Sequence, residues 1–427
     1  MKRFSVPSRS TPGRWLAILF GVVAAAALSW LIHFKSSPRS EVRRVAIAEK
    51  QSSPPAKPPA SPQPLDNRKD KPVLLETKIE SGPNAANDYK DAFVLYDRLT
   101  EEEKRTLANR KTMPDPEKAK ALAEKIRPIL ELLRQAAAEP KCDWGYGQVS
   151  FDTPMPQISK INQLGKLALW DATYQFPTDP GTALDDLEAL RQLGHNGSDL
   201  LIGATLERGL EGGANEVIRQ NAGSLTAEGL AQALLFLQTG SPLLEDTMQS
   251  LQGESEFVRA SSQRLVATAS EMSPEQFAQA FPNNTAQIRQ VLNDPAAWNA
   301  QFEHISAIEK KFGETLAWPE SDYQAWWQDV VAQAKDSPIE AAMIPVLDAT
   351  RNNLQRAQTR RAMLTAGLEV MQSGPGALSS FPDPSTGSSF SYTASPQGFE
   401  LQSKIVRDGQ PITMSFPMPA AGPGGSQ

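Results

Sequence analysis

The sequence predicts a mainly α protein with three parts: an N-terminal transmembrane helix, a helical-repeat-like body of αα-hairpins, and a small C-terminal antiparallel β meander. Three observations predict it. Residues 15–34 form an apolar run without a charged side chain. From about residue 84 to 372, apolar residues recur at helical spacing. Near the C-terminus the pattern changes to short alternating stretches between turn signals.

The run 15–34 spans roughly 30 Å as a helix, the thickness of a bilayer's hydrocarbon core. Trp15, Trp30 and Phe34 stand near its ends, where aromatic rings favour the interface, and Arg14 and Lys35 bracket it. A cleaved signal peptide is the rival reading. Lys2, Arg3, Arg9 and Arg14 make a basic leader, and Ala25 and Ala27 suit a peptidase. The apolar run continues past them to Ile32, longer than the usual h-region of about 7–15 residues, which favours an uncleaved signal anchor. Basic residues flank both ends, so orientation rests on the short N-terminal side. Residues 1–14 are expected in the cytoplasm. Residues 35–427 are expected in the periplasm, outside a bacterial cytoplasmic membrane crossed by one helix.

Residues 35–72 read as a linker, basic at first and Pro-rich later. Seven prolines fall within 51–72, with almost nothing to bury, so extended polyproline II is favoured. The helical body follows, divided at about 73–240 and 241–376. In 116–136, Ala119, Leu122, Ala123, Ile126, Ile129, Leu130 and Leu133 mark one face. Asp115-Pro116 suits the start, and Pro128 predicts a kink. Residues 157–176 repeat the pattern. Thr178-Asp179-Pro180 opens a helix carrying Leu184, Leu187, Leu190 and Leu193, and Gly194-His195-Asn196-Gly197 ends it. Ser198 is placed to cap the next, to about Asn221, and Thr226 the one after, to Gly240. The 178–196 and 198–221 pair has the size of a tetratricopeptide-like unit without its consensus. Further helices are expected at about 242–270, 274–281, 284–293, 295–313, 319–335 and 338–372. In 377–419, strands are expected at 390–392, 399–401 and 412–416, and 420–427 is expected to be a disordered tail.

With 427 residues and 40% apolar content, the chain can bury a substantial core and more than one unit. The first 72 residues carry nine more cations than anions, yet the whole chain is −6, so the body is strongly acidic. That argues against nucleic acid as a partner, since phosphate binding needs Lys and Arg. Cys142 is the only cysteine, which excludes an intrachain disulfide and a cysteine metal cluster.

The chain resembles a group of uncharacterised bacterial membrane-anchored envelope proteins. They combine an anchor, a linker, a leucine-rich αα body like 160–221, and a C-terminal stretch similar to Phe381-Pro-Asp383-Pro384-Ser385-Thr386-Gly387-Ser-Ser-Phe390-Ser-Tyr392 with Gly398-Phe399-Glu-Leu401-Gln-Ser403. In those sequences an aromatic residue often stands where this chain has Ser385, and a basic one near Ser388. The resemblance covers about half of the chain and implies architecture and location, not an activity. The closing β element is also weakly similar to that of pseudopilins.

Chemical motifs are sparse. The three histidines are His33, within the apolar run, and the widely separated His195 and His304. No His-Glu-x-x-His, P-loop, Gly-x-Ser-x-Gly or Ser-x-x-Lys pattern occurs, and no cofactor or metal is implied. His195, at a helix end, reads as a capping residue or an acid–base candidate. Asp185, Asp186 and Glu188 read as a solvated acidic face, because neighbours on one helix do not oppose each other across a cleft. Gly209 and Gly213, four apart, suit a close helix contact. Two aromatic groups are candidate partner-binding positions: Asp143, Trp144 and Tyr146 in a loop, and Trp318, Tyr323, Trp326 and Trp327. Core packing is the competing reading of both. The whole points to a non-catalytic envelope scaffold that binds a protein or peptide. The alternatives are an envelope hydrolase with a carboxylate-based site near His195 or Asp143, and a tethered chaperone.

Overall fold

The computed structural model describes residues 83–417, apart from 111, 147–152, 154, 198, 241, 271–272, 274, 276–293, 335–337 and 408–409. The expected anchor, linker and C-terminal tail lie outside the described residues, as does nearly all of the helices expected at 274–281 and 284–293. No helix among the described residues is long and apolar enough to cross a membrane.

The described chain is mainly helical and closes with a three-stranded antiparallel sheet. In order the helices are α1 (Ala85–Asp97), α2 (Glu101–Ala108), α3 (Pro116–Ala138), α4 (Pro156–Gln175), α5 (Pro180–His195), α6 (Leu201–Asn221), α7 (Ala227–Gln238), α8 (Leu243–Ser270), α9 (Pro295–Thr315), α10 (Glu320–Gln333) and α11 (Pro338–Ser373). The strands are β1 (Ser391–Ser395), β2 (Gly398–Arg407) and β3 (Gln410–Pro417).

Caps set most of the helix starts. The Asn84, Asp115, Asp179 and Thr226 side chains each accept a backbone N–H of the first turn that follows. Thr100 and Glu103 form a reciprocal capping box on α2. Pro128 lies inside α3 without ending it. The start of α6 corrects the expectation for Ser198. Its N-cap is Leu200, which has no polar side chain to offer, and the Leu201 N–H donates instead to Glu254 Oε2 of α8 at 3.2 Å. A carboxylate distant in sequence thus does the work expected of a local hydroxyl.

Helices α1, α3, α4, α5 and α6 pack on one another. Between α4 and α6 the fit is reciprocal. Leu210 fills the space where Gly165 has no Cβ, and Leu169 does the same at Gly213, so the backbones approach closely. Gly209 faces open space, so the expected glycine contact is made by Gly213 alone.

One core joins α1–α7 to the last turns of α11 and to the sheet, through Met363, Leu364, Leu368, Phe390, Phe399, Leu401 and Phe416. A second core contains Leu243, Leu251, Phe312, Leu316, Tyr323, Trp327, Val330, Leu347 and Leu354. Helix α11 runs without a break through both, so no boundary separates them along the chain.

The meander docks one face on the first core, because a three-stranded sheet alone would be marginal. Phe399 pairs across the ladder with Phe416, and their rings stack at 5.0 Å. The Phe416 ring lies over Gly367 of α11, where a side chain would collide with it. The 381–392 segment is organised by the buried Asp383. Its carboxylate accepts from Ser385 N (2.9 Å), Ser403 Oγ (2.5 Å) and Lys404 N (3.3 Å), while its carbonyl accepts from Gly387 N (2.8 Å). The 381–392 stretch is therefore a folding hub.

Candidate functional site

The seam where α5, α6, α8 and α11 meet gathers Arg191, Glu207, Arg208 and Glu211, four of the ten buried charged residues among those described. On α6, Glu207, Glu211 and Asn215 recur every fourth residue along a buried stripe. Each charge has a partner from another element. Arg361 of α11 donates Nε–H to Glu211 Oε1 at 2.6 Å. Arg208 donates to Thr247 Oγ1 of α8 at 2.9 Å, and burial holds its guanidinium down to about 10. Arg191 of α5 lies 4.3 Å over the Phe236 ring and donates to the Phe236 carbonyl at 2.7 Å. Burial raises the Glu211 carboxyl above its usual range, and Arg361 opposes that shift.

At the edge of this network, three helices bring His195, Glu207 and Asp246 together. His195 Nδ1 lies 3.7 Å from Glu207 Oε1 and 3.8 Å from Asp246 Oδ1. The His195 side chain is 45% exposed, Asp246 12% and Glu207 7%. Gly194 makes the approach possible, since a Cβ there would stand 3.1 Å from Glu207 Cα. The imidazole's pKa is raised, chiefly by the Glu207 carboxylate beside it and against the pull of burial.

One residue earlier on α8, Glu245 turns toward an open groove of about 400 Å³. Its apolar walls include Leu243, Phe381, Pro382 and Pro384, and Gln358, Arg361 and Thr365 add polar groups. Arg361 thus joins the buried charges to the groove wall.

Elsewhere the structure corrects the reading of Asp186. It is fully buried rather than part of a solvated face, while Asp185 and Glu188 are exposed. Asp186 pairs with Arg134 of α3 at 2.6 Å and stands beside the buried Asp171 of α4. Burial raises both carboxyls, so this pair holds a proton well above the ordinary range. It ties α3, α4 and α5 together.

The sequence-predicted partner residues fall into two groups. Asp143, Trp144 and Tyr146 form a loop strapped to the first core. Asp143 N–H donates to Asn84 Oδ1 (2.8 Å), and Trp144 Nε1–H to the Asn196 carbonyl (2.6 Å). The Trp144 ring stacks on Tyr89 at 5.8 Å and Phe93 at 6.0 Å. Asp143 is exposed and Tyr146 half-buried. Cys142 beside them is inert, because burial pushes its thiol up to about 12. In the second group, Tyr323 and Trp327 are buried in the second core, Trp326 is half-buried against it, and Trp318 is half-buried with Lys311 Nζ 4.9 Å over its ring. The Arg351 guanidinium lies 3.6 Å over the Tyr323 ring and pairs with Glu320 at 2.6 Å. The first group meets the end of α5 through Asn196, next to His195, and the second shares its core with Leu201 of α6 and Leu243 of α8.

Glu207, Glu211, Asp246 and Arg361 were not singled out from the sequence. The available signal was acidic residues standing on the apolar stripe of α6, where Glu207 and Glu211 share a face with Gly203, Ala204 and Ala214. Comparison of the chain with protein-family models, curated proteins and solved structures matched none of them.

Proposed function

We propose that this chain is a membrane-tethered, extracytoplasmic helical protein of the bacterial envelope that binds an extended polypeptide without chemically changing it. The observation that carries the reading is the groove between the start of α8, α11 and the 380–384 loop. At about 400 Å³ it lies within the span of ligand clefts, roughly 300–1,000 Å³. Leu243, Phe381, Pro382 and Pro384 offer apolar surface for side chains, and Gln358 and Thr365 offer hydrogen-bond partners for a peptide backbone. The apolar run 15–34 supplies the anchor. The prolines of 51–72 supply a spacer that reaches several tens of Å at about 3.1 Å per residue. In this reading the resemblance to envelope proteins and the tether describe where the groove works.

The test places a photo-crosslinking amino acid at Gln358 in full-length protein in the membrane. A second site at the exposed Lys120 of α3 serves as reference. The expected result is a polypeptide adduct from position 358 only, abolished when Ala362→Trp fills the groove. Equal labelling from both positions, or an adduct that survives Ala362→Trp, overturns the assignment.

A further inference from the structure

We propose that His195, Glu207 and Asp246 form a binding site for a divalent zinc ion. The argument starts from distance. A charge-assisted N–H···O bond between an imidazolium and a carboxylate closes to roughly 2.7–2.9 Å. His195 Nδ1 instead stands 3.7 and 3.8 Å from two carboxylate oxygens, nearly equidistant from both. That is too long for the hydrogen bond. It is close to the separation of two ligands on one tetrahedral zinc, about 3.4 Å for bonds of about 2.0–2.1 Å. All three donor atoms lie within 4.8 Å of one another, so a modest inward rotation of each side chain completes the set.

The second observation is the placement of Glu207. Its side chain is only 7% exposed, and it is aimed at His195 from a rigid stretch of α6. Gly194 fixes the depth of that approach. Arg208 donates to Thr247 Oγ1 (2.9 Å) and Thr205 Oγ1 (3.4 Å), and its charge also acts on Glu207 and Asp246. The exposed Asp199 adds a further negative charge near His195. The three ligands come from the end of α5, the second turn of α6 and the first turn of α8. A metal held there would pin α8, whose Leu243 and Leu251 belong to the second core, to the helices of the first.

The donor set selects the ion. One imidazole nitrogen with two carboxylate oxygens suits zinc, which keeps a fourth position for water in such three-ligand sites. Magnesium and calcium prefer all-oxygen shells with more ligands. Among the softer divalent ions the same donors bind zinc more tightly than manganese.

The experiment uses full-length protein in detergent micelles, stripped with a chelator, desalted, and titrated with zinc chloride by calorimetry. Magnesium and calcium chlorides are the comparison titrants. The variants are His195→Gln and Asp246→Asn, near-isosteric changes at side chains that solvent still reaches. His304→Gln is the control, since His304 meets a single carboxylate, Glu340, at 2.9 Å. Circular dichroism melts establish that each variant is folded. The expected result is one zinc per chain, weakened at least tenfold in both site variants and unchanged in His304→Gln. Zinc should also raise the melting temperature of the wild type and not of the site variants. Equal zinc affinity in wild type and site variants, no stoichiometric zinc uptake, or tighter binding of magnesium or calcium would each overturn the assignment.

Discussion

The two cores of this protein are both built from helices but are filled differently. In the first, Ile126, Leu133, Leu164, Leu187, Leu190 and Leu193 belong to one cluster with Trp170, and close helix approach does much of the work. In the second, Phe312, Tyr323 and Trp327 meet at ring separations of 5.7–6.2 Å beside the buried Arg351. Glu309, Thr315, Glu340 and Thr350 are buried there too. Aliphatic burial is non-directional and cooperative, whereas a buried charge is worth little unless its partners stay in place. Buried charge occurs beside both, but the first core joins α1–α7, the end of α11 and the sheet while the second is much smaller, which implies a stability gradient along α11, the helix common to both. The second core should open first, and the first should set the global limit.

The strongest way to break that comparison is Trp170→Ala. Trp170 is fully buried at the centre of the first core, and its ring stacks on Tyr174 at 5.8 Å. Removing it leaves a large cavity and should cost about 3–5 kcal/mol. Because α11 carries both cores, amide hydrogen exchange should accelerate in α8–α10 as well as in α3–α7. Unchanged protection in α8–α10 would mean that the cores fold independently.

Arg351→Met tests the other side. The guanidinium lies on Tyr323, pairs with Glu320 and donates to the Trp318 carbonyl at 3.4 Å. Methionine keeps much of the volume and loses the cation, a change of about 1–2 kcal/mol. The faster exchange should be confined to α10 and the first half of α11. Spread of the effect into α4 and α5 would remove the gradient.

How much of this was legible in the sequence follows the same division. The apolar stripe of α3, the leucines of α5, the caps at Asp179 and Thr226 and the alternation of β2 and β3 are local patterns, and each produced the expected element. Helix α2 was not resolved as an element, because Glu101-Glu-Glu-Lys-Arg buries only Leu107 and has no apolar period. The seam was illegible for a different reason. Arg134 meets Asp186 across 52 residues and Arg361 meets Glu211 across 150, so the burial of each charge depends on a partner that no window contains. The aromatic pair Trp326-Trp327 shows the same limit, since only packing against Phe312 and Tyr323 decides which ring is enclosed.

The smallest expected effect sharpens the comparison through pH. Glu309 of α9 is 1% exposed, and burial pushes its carboxyl up to about 8, with the charge of Glu254 adding to the shift and Ser255 opposing it. In the unfolded chain it titrates near the usual 4.5. Between those values the folded protein holds a proton that the unfolded chain has released, so stability falls as pH rises from about 4.5 through about 8. A glutamine side chain has the shape of the protonated acid and nothing to titrate. Glu309→Gln should therefore match the wild type in urea melts at pH 5 and exceed it by about 1–3 kcal/mol at pH 8.5. Parallel profiles for the two proteins would show that Glu309 is charged and solvated, and the second core would lose its main distinction. The slope that remains in the variant comes from Glu254, whose carboxyl burial raises to about 7, and from the first core. There the Asp171–Asp186 pair also retains a proton, and Arg134, bound to Asp186 Oδ1, offsets part of the burial that raises it. Both cores thus lose stability to buried carboxyls in the same direction of pH, but Asp186 has an arginine against it and Glu309 has none among the groups that shift it.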